Sequence, residues 1–144
     1  MKKILKGLFI LLFIFLLSAC TKDYKAITYT KFIETFRIEE DYLVNNETSI
    51  LDDKFERYIE ASGKNNQFIY YEFKTEKDAR DYVKLNYKNR SGYKYKDKKS
   101  YITVKNTKNR YFYLIQVDNT IIIGSSDIKS NKKEINRIFK ELGY

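Results

Sequence analysis

The sequence predicts an α+β fold in which helices cover one face of a five-stranded antiparallel sheet, in the order α-ββ-α-βββ-α. Several β-forming runs are joined by turns too short for helical crossovers, so the neighbouring strands should be antiparallel. Other segments carry one apolar stripe at helical spacing, which must be buried against a sheet. Residues 28–144 contain no proline and no second apolar span, so we expect a single domain there.

The first helix is predicted to begin after Thr28 or Thr30, because either side chain can cap it, and to end near Ile38. Its apolar stripe consists of Tyr29, Phe32, Ile33 and Phe36. Residues 39–53 are ambiguous: the run from Tyr42 to Val44 favours a short strand, and the asparagines after it indicate a turn.

A hairpin and a second helix are predicted next. Residues 55–61 alternate apolar and polar side chains, residues 63–66 are turn formers, and residues 68–73 are rich in aromatic side chains. Thr75 is positioned to cap the helix, with Asp78 near its exposed amides. The helical stripe consists of Ala79, Tyr82, Val83, Asn86 and Tyr87.

A basic loop at residues 91–99 is predicted to lead into three strands at residues 101–105, 110–117 and 120–124. The connections at 106–109 and 118–119 are tight, so these strands should form a meander. The last helix is predicted to be capped by Ser130 and to end at Gly143, and its stripe consists of Ile135, Ile138, Phe139 and Leu142.

The first 19 residues have the three parts of a bacterial export signal: a lysine-rich head, an uncharged apolar run at residues 8–17, and small residues before Cys20. An uncleaved membrane anchor is the alternative, but the run is shorter than the roughly 20 apolar residues that a spanning helix needs. Cys20 is the only cysteine of the chain. Residues 17–20, Leu-Ser-Ala-Cys, resemble the lipobox of bacterial lipoproteins.

The lipobox resemblance implies cleavage between Ala19 and Cys20 and attachment of a diacylglycerol to the Cys20 thiol, with acyl chains of the palmitate class. Residues 1–19 would then be a signal peptide, residues 20–27 the lipidated cysteine with a short tether, and residues 28–144 the folded domain. Two acyl chains hold a protein stably in a bilayer, whereas one holds it only marginally. The expected location is the cell membrane, on its extracytoplasmic face.

The body of the chain resembles small uncharacterised lipoproteins of Gram-positive bacteria. The resemblance rests on an aromatic hairpin before a helix, on the turn Asp118-Asn119-Thr120 before the last strand, and on the ending Leu142-Gly143-Tyr144. It implies the architecture only, with no activity attached.

The composition excludes most catalytic templates. The chain has no histidine, and a lipidated Cys20 leaves no free thiol, so the usual proton shuttle, thiolate nucleophiles and zinc ligands are missing. The acidic runs Glu39-Glu40-Asp41 and Asp52-Asp53 lack the spacing of a metal loop or a glycosidase pair. We therefore predict no catalytic residue, no metal and no cofactor; the alternative is an envelope enzyme that uses carboxylates.

The basic residues are concentrated in one segment. Residues 84–110 contain ten basic residues and one acid, and the formal charge of the chain falls only from +9 to about +6 when the three leader lysines are removed. The residues predicted to form a patch for an anionic partner are Lys94, Lys96, Lys98, Lys99, Lys105, Lys108 and Arg110. The partner would be anionic lipid or a cell-wall polymer. Single-stranded nucleic acid ranks lower, because an exported protein rarely meets it.

Two simpler interpretations stay open. The basic segment could be a solvated loop that keeps a tyrosine-rich sheet soluble. The aromatic residues of 68–73 and 111–113 could be ordinary strand formers, or their rings could form a binding platform on a helix-free sheet face. The predicted function is a non-catalytic, lipid-anchored binding or sensing module near the membrane surface.

Overall fold

A computed structural model describes residues 23–39, 41–46, 53–106, 108 and 110–144. The predicted signal peptide, its cleavage site and Cys20 lie outside these residues. The described residues form an α+β fold with three α-helices: α1 (Tyr29–Arg37), α2 (Glu76–Tyr87) and α3 (Lys132–Glu141). Their strands are β1 (Leu43–Asn46), β2 (Phe55–Ser62), β3 (Asn66–Phe73), β4 (Lys94–Asp97), β5 (Tyr101–Asn106), β6 (Tyr111–Val117) and β7 (Thr120–Ser126).

All seven strands belong to one antiparallel sheet in the order β1-β2-β3-β7-β6-β5-β4. The predicted β2–β3 hairpin and β5–β6–β7 meander are confirmed. Pairing of β3 with β7, for example Ile69 opposite Ile123, joins these two units in the centre of the sheet.

The predicted number of five strands is wrong, because the sheet gains an edge strand on each side. β1 pairs with β2, and β4 pairs with β5 inside the segment that we predicted to be a basic loop. An edge strand has one neighbour and much solvent contact, so it can form without the apolar alternation that marks an interior strand. The sequence Lys-Tyr-Lys-Asp of β4 has only one apolar side chain and therefore gave no strand signal.

The helices cover both faces of the sheet rather than the single face predicted. We call the side that packs against α1 and α3 the two-helix face and the side that packs against α2 the one-helix face. Every residue of β6 is buried, so both of its faces are apolar and each needs a cover. The core on the two-helix face includes Phe32, Phe36, Phe68, Tyr70, Ile122, Ile135 and Phe139, and that on the one-helix face includes Phe73, Ala79, Val83, Val104, Leu114 and Ile121.

Two of the predicted helix caps are confirmed. The Lys31 amide donates to Thr28 Oγ1 at 3.2 Å, and the Asp78 amide donates to Thr75 Oγ1 at 3.1 Å. The predicted cap at Ser130 is wrong, since that residue lies in a 3₁₀ turn at Lys129–Asn131 before α3.

Asn131 precedes α3, and its side chain is used for tertiary contacts instead of capping. Its Nδ2 donates to Asn66 Oδ1 at 2.9 Å and to Ser126 Oγ at 3.2 Å, which fixes the start of α3 to the β2–β3 turn and the end of β7. Gly143, at φ +98°, follows the last residue of α3 in the left-handed conformation that commonly ends a helix.

Gly124 lets α3 pack closely on β7. A Cβ atom at this position would lie 2.6 Å from Phe139 Cε2 and 2.9 Å from Phe68 Cε1. Both rings belong to the core of the two-helix face and are buried, so neither can swing into solvent. The absence of a side chain at Gly124 therefore determines how near the helix can approach the sheet.

We expect Gly124→Ala to lower the free energy of unfolding by about 2 kcal/mol, because overpacking a filled core forces rings off their rotamers. Urea denaturation followed by circular dichroism measures this change. Ser125→Ala is the matched control, since Ser125 lies next in β7 on the opposite face and is half-buried; it should change the stability by less than about 0.5 kcal/mol. Equal stability of the two variants would contradict the close-packing role of Gly124.

An ion-pair network connects α3 to the chain that follows α1. Arg137 donates to both carboxylate oxygens of Glu39, each at 2.9 Å, and it also pairs with Glu134 at 2.7 Å and Glu141 at 2.6 Å. The hydrogen bonds from Arg137 hold the pKa of Glu39 below its ordinary value of 4.5. The carboxylates of Glu39, Glu134 and Glu141 thus all contact the guanidinium of Arg137.

We expect Arg137→Met to lower the melting temperature at pH 7 by on the order of 3 °C. Each partly exposed ion pair contributes little to the free energy of unfolding, but the substitution removes three of them at once. Since the pKa of folded Glu39 lies below its unfolded value, this stabilisation is complete above about pH 4.5 and is lost as the pH falls. Thermal unfolding from pH 7 to pH 3 should show the difference from the wild type shrinking. Arg37→Met, an exposed change of equal charge, should leave the melting temperature nearly unchanged; a difference that stays constant with pH would rule out the Glu39 pairing.

Candidate anionic-partner interface

The β4–β5 hairpin separates its basic side chains from its acid. Lys94 lies opposite Lys105 and Lys96 opposite Thr103, and alternation along each strand places these lysines on the two-helix face. Lys105 Nζ lies 4.6 Å from the ring centroid of Tyr113, which belongs to the core on that face. We call Lys94, Lys96 and Lys105 the lysine strip.

The acid of the hairpin, Asp97, lies on the other side. It accepts a hydrogen bond from Tyr95 Oη at 3.1 Å, pairs with Arg80 of α2, and has Lys84 Nζ at 3.9 Å. Its charge is therefore compensated on the one-helix face. Asp97 therefore does not lie on the same face of the hairpin as the lysine strip.

The register places two positive charges directly opposite each other. Side chains in such cross-strand pairs have Cβ atoms about 5 Å apart, and like charges there are destabilising. This is the position of Lys94 and Lys105. Lys94 and Lys96 are exposed, and within the described part of the chain neither forms an ion pair.

The other residues of the predicted patch lie at the two ends of the hairpin. Lys98 and Lys99 occupy the β4–β5 turn, where their carbonyl groups accept hydrogen bonds from Arg80 at 3.0 and 3.4 Å. Lys108 and Arg110 lie in the β5–β6 connection, about 20 Å away along the six residues of β5. The structure thus divides the seven residues into three groups.

Arg110 takes part in a local cluster with Tyr93. Its Nη2 donates to Tyr93 Oη at 3.1 Å, and the guanidinium carbon of Arg90 lies 4.9 Å from the centroid of the same ring. Burial raises the pKa of the Tyr93 hydroxyl, but hydrogen bonds from Arg110 and Asn106 outweigh it and hold the pKa below the ordinary value of 10. The Arg110 guanidinium is therefore partly engaged by a hydrogen bond to Tyr93.

Sequence reasoning missed the contacts of the N-terminal segment. Tyr24 packs edge-on against Tyr101, with ring centroids 4.9 Å apart, and against Tyr144 at 5.7 Å. The Ile27 amide donates to Tyr144 Oη at 3.2 Å, and Tyr70 Oη donates to the Ile27 carbonyl at 3.5 Å. Residues 24–27 therefore pack on the two-helix face, and the segment that could act as a tether is correspondingly shorter than residues 20–27.

The acidic runs considered for carboxylate catalysis do not form a common site in the described part of the chain. Glu39 pairs with Arg137, Asp41 is exposed, and Asp53 is exposed at the start of the β2 segment. Glu40 and Asp52 lie outside the described residues. Within the described ranges there is no group of three or more acidic, histidine or cysteine side chains arranged to hold a metal ion.

Glu60 is a further carboxylate, on the one-helix face of β2. It accepts hydrogen bonds from Ser62 Oγ at 2.5 Å, Gln67 Nε2 at 2.9 Å and Tyr58 Oη at 2.8 Å. These donors hold its pKa below 4.5, so the carboxylate is ionised at neutral pH. Most hydrogen-bond acceptor positions of the Glu60 carboxylate are therefore occupied by donors from β2 and β3.

The aromatic residues considered for a platform belong to the core. Phe68, Tyr70 and Phe73 are at most 1% exposed, and Tyr111, Phe112 and Tyr113 are at most 8% exposed. Tyr71 is half-buried and packs against the core of the one-helix face. Because α2 covers the face that we predicted to be free of helices, these rings cannot form an open platform. They are strand formers that fill the two cores.

Concave surfaces lie away from the lysine strip. A groove of about 720 Å³ runs between α2 and the start of β2, lined partly by Phe55, Tyr82 and Leu85. A polar cleft of about 300 Å³ next to the β2–β3 turn includes Arg110 and Ser125 in its wall. No helix in the described ranges has the length and apolar character needed to cross a bilayer.

Comparisons with known proteins provide information on the fold alone. No family model matches the sequence, and no curated protein matches it. The fold is similar to a solved structure from Thermotoga maritima described as a GTP binding regulator, with a TM-score of 0.51 and 13% sequence identity. The similarity covers 81% of this chain and 84% of that one, so it extends over most of the sheet and helices rather than one motif.

Proposed function

We propose that this chain is a lipid-anchored, non-catalytic binding module on the extracytoplasmic face of the cell membrane, and that its lysine strip contacts an anionic partner. The observation that carries the proposal is the separation of charge across the β4–β5 hairpin. Asp97 is paired on one face, whereas Lys94, Lys96 and Lys105 share the other.

The anchoring part of the proposal rests on the leader. A charged head, an apolar run and the Leu-Ser-Ala-Cys sequence at residues 17–20 occur together at the start of the chain, with the only cysteine at the position that receives lipid in bacterial lipoproteins. Cys20 precedes Tyr24, the first residue of the described part that packs on the core, by four positions, so a lipid on its sulfur would hold the fold near the bilayer.

Edge protection is a competing explanation for lysines on an outer strand. A lysine there prevents unwanted strand pairing, and this accounts for Lys94 and Lys96 without any partner. It does not account for Lys105, because β5 has neighbours on both sides. The proposal of an anionic partner rests on the exposure of Lys94 and Lys96 on the face away from Asp97, and Lys105 adds positive charge directly opposite Lys94.

The similar structure that is described as a GTP binding regulator supports only the fold in this proposal, because its sequence is 13% identical. This chain has no glycine-rich phosphate loop. We therefore propose that the anionic partner is one that a protein of the cell envelope meets, either lipid headgroups or a wall polymer.

Lipidation is tested with the full chain expressed in a bacterium supplied with labelled palmitate. The wild type should incorporate the label and sediment with membranes, whereas Cys20→Ser should carry no label and leave the membrane fraction, because it lacks the thioether attachment site. Thr21→Ser, a conservative change beside the site, should behave like the wild type. An unlabelled wild type together with a membrane-bound Cys20→Ser variant would refute the lipid anchor.

Binding to an anionic partner is tested with residues 20–144 carrying Cys20→Ser, a chain that keeps every described helix and strand. It should sediment with vesicles that contain anionic lipid and be released as the salt concentration rises, because exposed charges are screened within about 8 Å at physiological ionic strength. Vesicles of neutral lipid are the control and should bind little of it. Equal binding to both kinds of vesicle would contradict an electrostatic interaction.

A further inference from the structure

We infer that the lysine strip is the surface by which the fold docks on the anionic headgroups of the same bilayer that holds its anchor. This inference rests on the proposed function and extends it, because it assigns the partner, the docking face and the orientation of the domain. The occupant is a lipid surface, and wall polymers become an outcome of the test.

The first step is the place where the chain reaches the fold. Tyr24 is fixed between the rings of Tyr101 and Tyr144, and the next residues are held by the Ile27 hydrogen bonds. Four residue steps separate Tyr24 from Cys20, which span at most about 14 Å when extended. An anchor on Cys20 therefore keeps Tyr24 close to the bilayer, and with it the end of β5 whose Tyr101 ring it contacts.

The second step is the path from Tyr101 to the lysines. Tyr101, Thr103 and Lys105 alternate onto the same face of β5, with Lys96 opposite Thr103 and Lys94 opposite Lys105. Two residues of a strand advance about 7 Å. The strip thus begins one such step from the residue that holds Tyr24, and it extends away from it along the hairpin.

The third step concerns what covers this part of the two-helix face. α1 packs against β1 and β3, and α3 packs against β7, all on the other side of β6 from the hairpin. Lys94 and Lys96 are exposed. Among the described residues, the exposed lysines of β4 therefore lie away from α1 and α3 and on the side of the sheet where the chain leads to its anchor.

The fourth step is charge complementarity. Lys94 and Lys96 are exposed on one face of the hairpin, and the acid of the hairpin is held on the opposite face. Anionic headgroups would be attracted to these exposed ammonium groups. Neutral headgroups carry no net charge to attract them, which predicts dependence on lipid charge rather than on lipid packing.

The test compares two variants with the same change in net charge, both in residues 20–144 with Cys20→Ser. The strip variant carries Lys94→Glu and Lys96→Glu. The control carries Lys129→Glu and Lys132→Glu, two exposed lysines at the start of α3, beyond the far end of β7 from Tyr101. Thermal unfolding confirms that each variant is folded before binding is measured.

We expect the strip variant to bind vesicles of 30% anionic lipid about tenfold or more weakly than the wild type, and the control to change the binding by less than about threefold. Equal losses in both variants, or a larger loss in the control, would overturn the inference while leaving anionic binding intact. Wild-type binding to soluble poly(glycerol phosphate) without binding to anionic vesicles would also overturn it, and would keep the proposed function with a wall polymer as partner. Binding to neither would refute both.

A second measurement uses the lipidated full chain and does not depend on charge reversal. Because lipid occupies the only native cysteine, a single new cysteine can carry an environment-sensitive fluorophore. In proteoliposomes containing anionic lipid, a label at Lys98→Cys, an exposed position in the β4–β5 turn beside Tyr101, should be strongly quenched by quenchers on lipid headgroups, and a label at Lys132→Cys only weakly. Quenching that is equal at the two positions, or stronger at Lys132→Cys, would contradict the assigned orientation.

Discussion

Burial of both faces of the central strands is the constraint on which the rest of the structure depends. All seven residues of β6 are buried, and its one strongly polar side chain, Gln116, donates to the Asp118 carbonyl at 2.6 Å. A sheet of this kind exposes apolar area unless helices lie on both sides, so the chain must send α2 to one face and α1 with α3 to the other. Gly124 then determines how closely α3 can approach.

The helices cover the central strands of the sheet, and the edge strands β1 and β4 have more exposed residues than the central strands. β4 is an edge strand whose two faces meet different surroundings. On the one-helix face, Asp97 and Tyr95 are tied to α2 through Arg80. On the two-helix face, α1 and α3 pack against strands on the far side of β6, and Lys94 and Lys96 are exposed to solvent. The charge separation of the hairpin is therefore a consequence of strand alternation combined with the position of α2 on the face of Asp97.

Local features of the fold were predictable from the sequence, whereas long-range ones were not. The cap at Thr75, the β2–β3 hairpin and the meander depend on residues close in the chain and were predicted correctly, and Thr28 was one of the two caps predicted for α1, whereas the predicted cap at Ser130 was wrong. The edge strands carry few apolar residues, and the side of the sheet that a helix takes is not encoded in its own stripe. The basic patch was predicted as one group of seven residues. The structure divides these residues into three groups because of the β4–β5 register, which the number of lysines and arginines in the segment does not predict.

A weak surface interaction gains strength when an anchor already holds the protein at the membrane. Each lysine near an anionic surface contributes about 1 kcal/mol, so a few side chains hold an unanchored protein only weakly and reversibly. An anchor at Cys20 makes contact of the strip with lipid an intramolecular event, at a high effective concentration set by the short segment before Tyr24. In this arrangement the lipid provides attachment and the strip provides orientation. The contacts of residues 24–27 are what link the two, because a fully flexible tether would let the domain tumble and would average the orientation away.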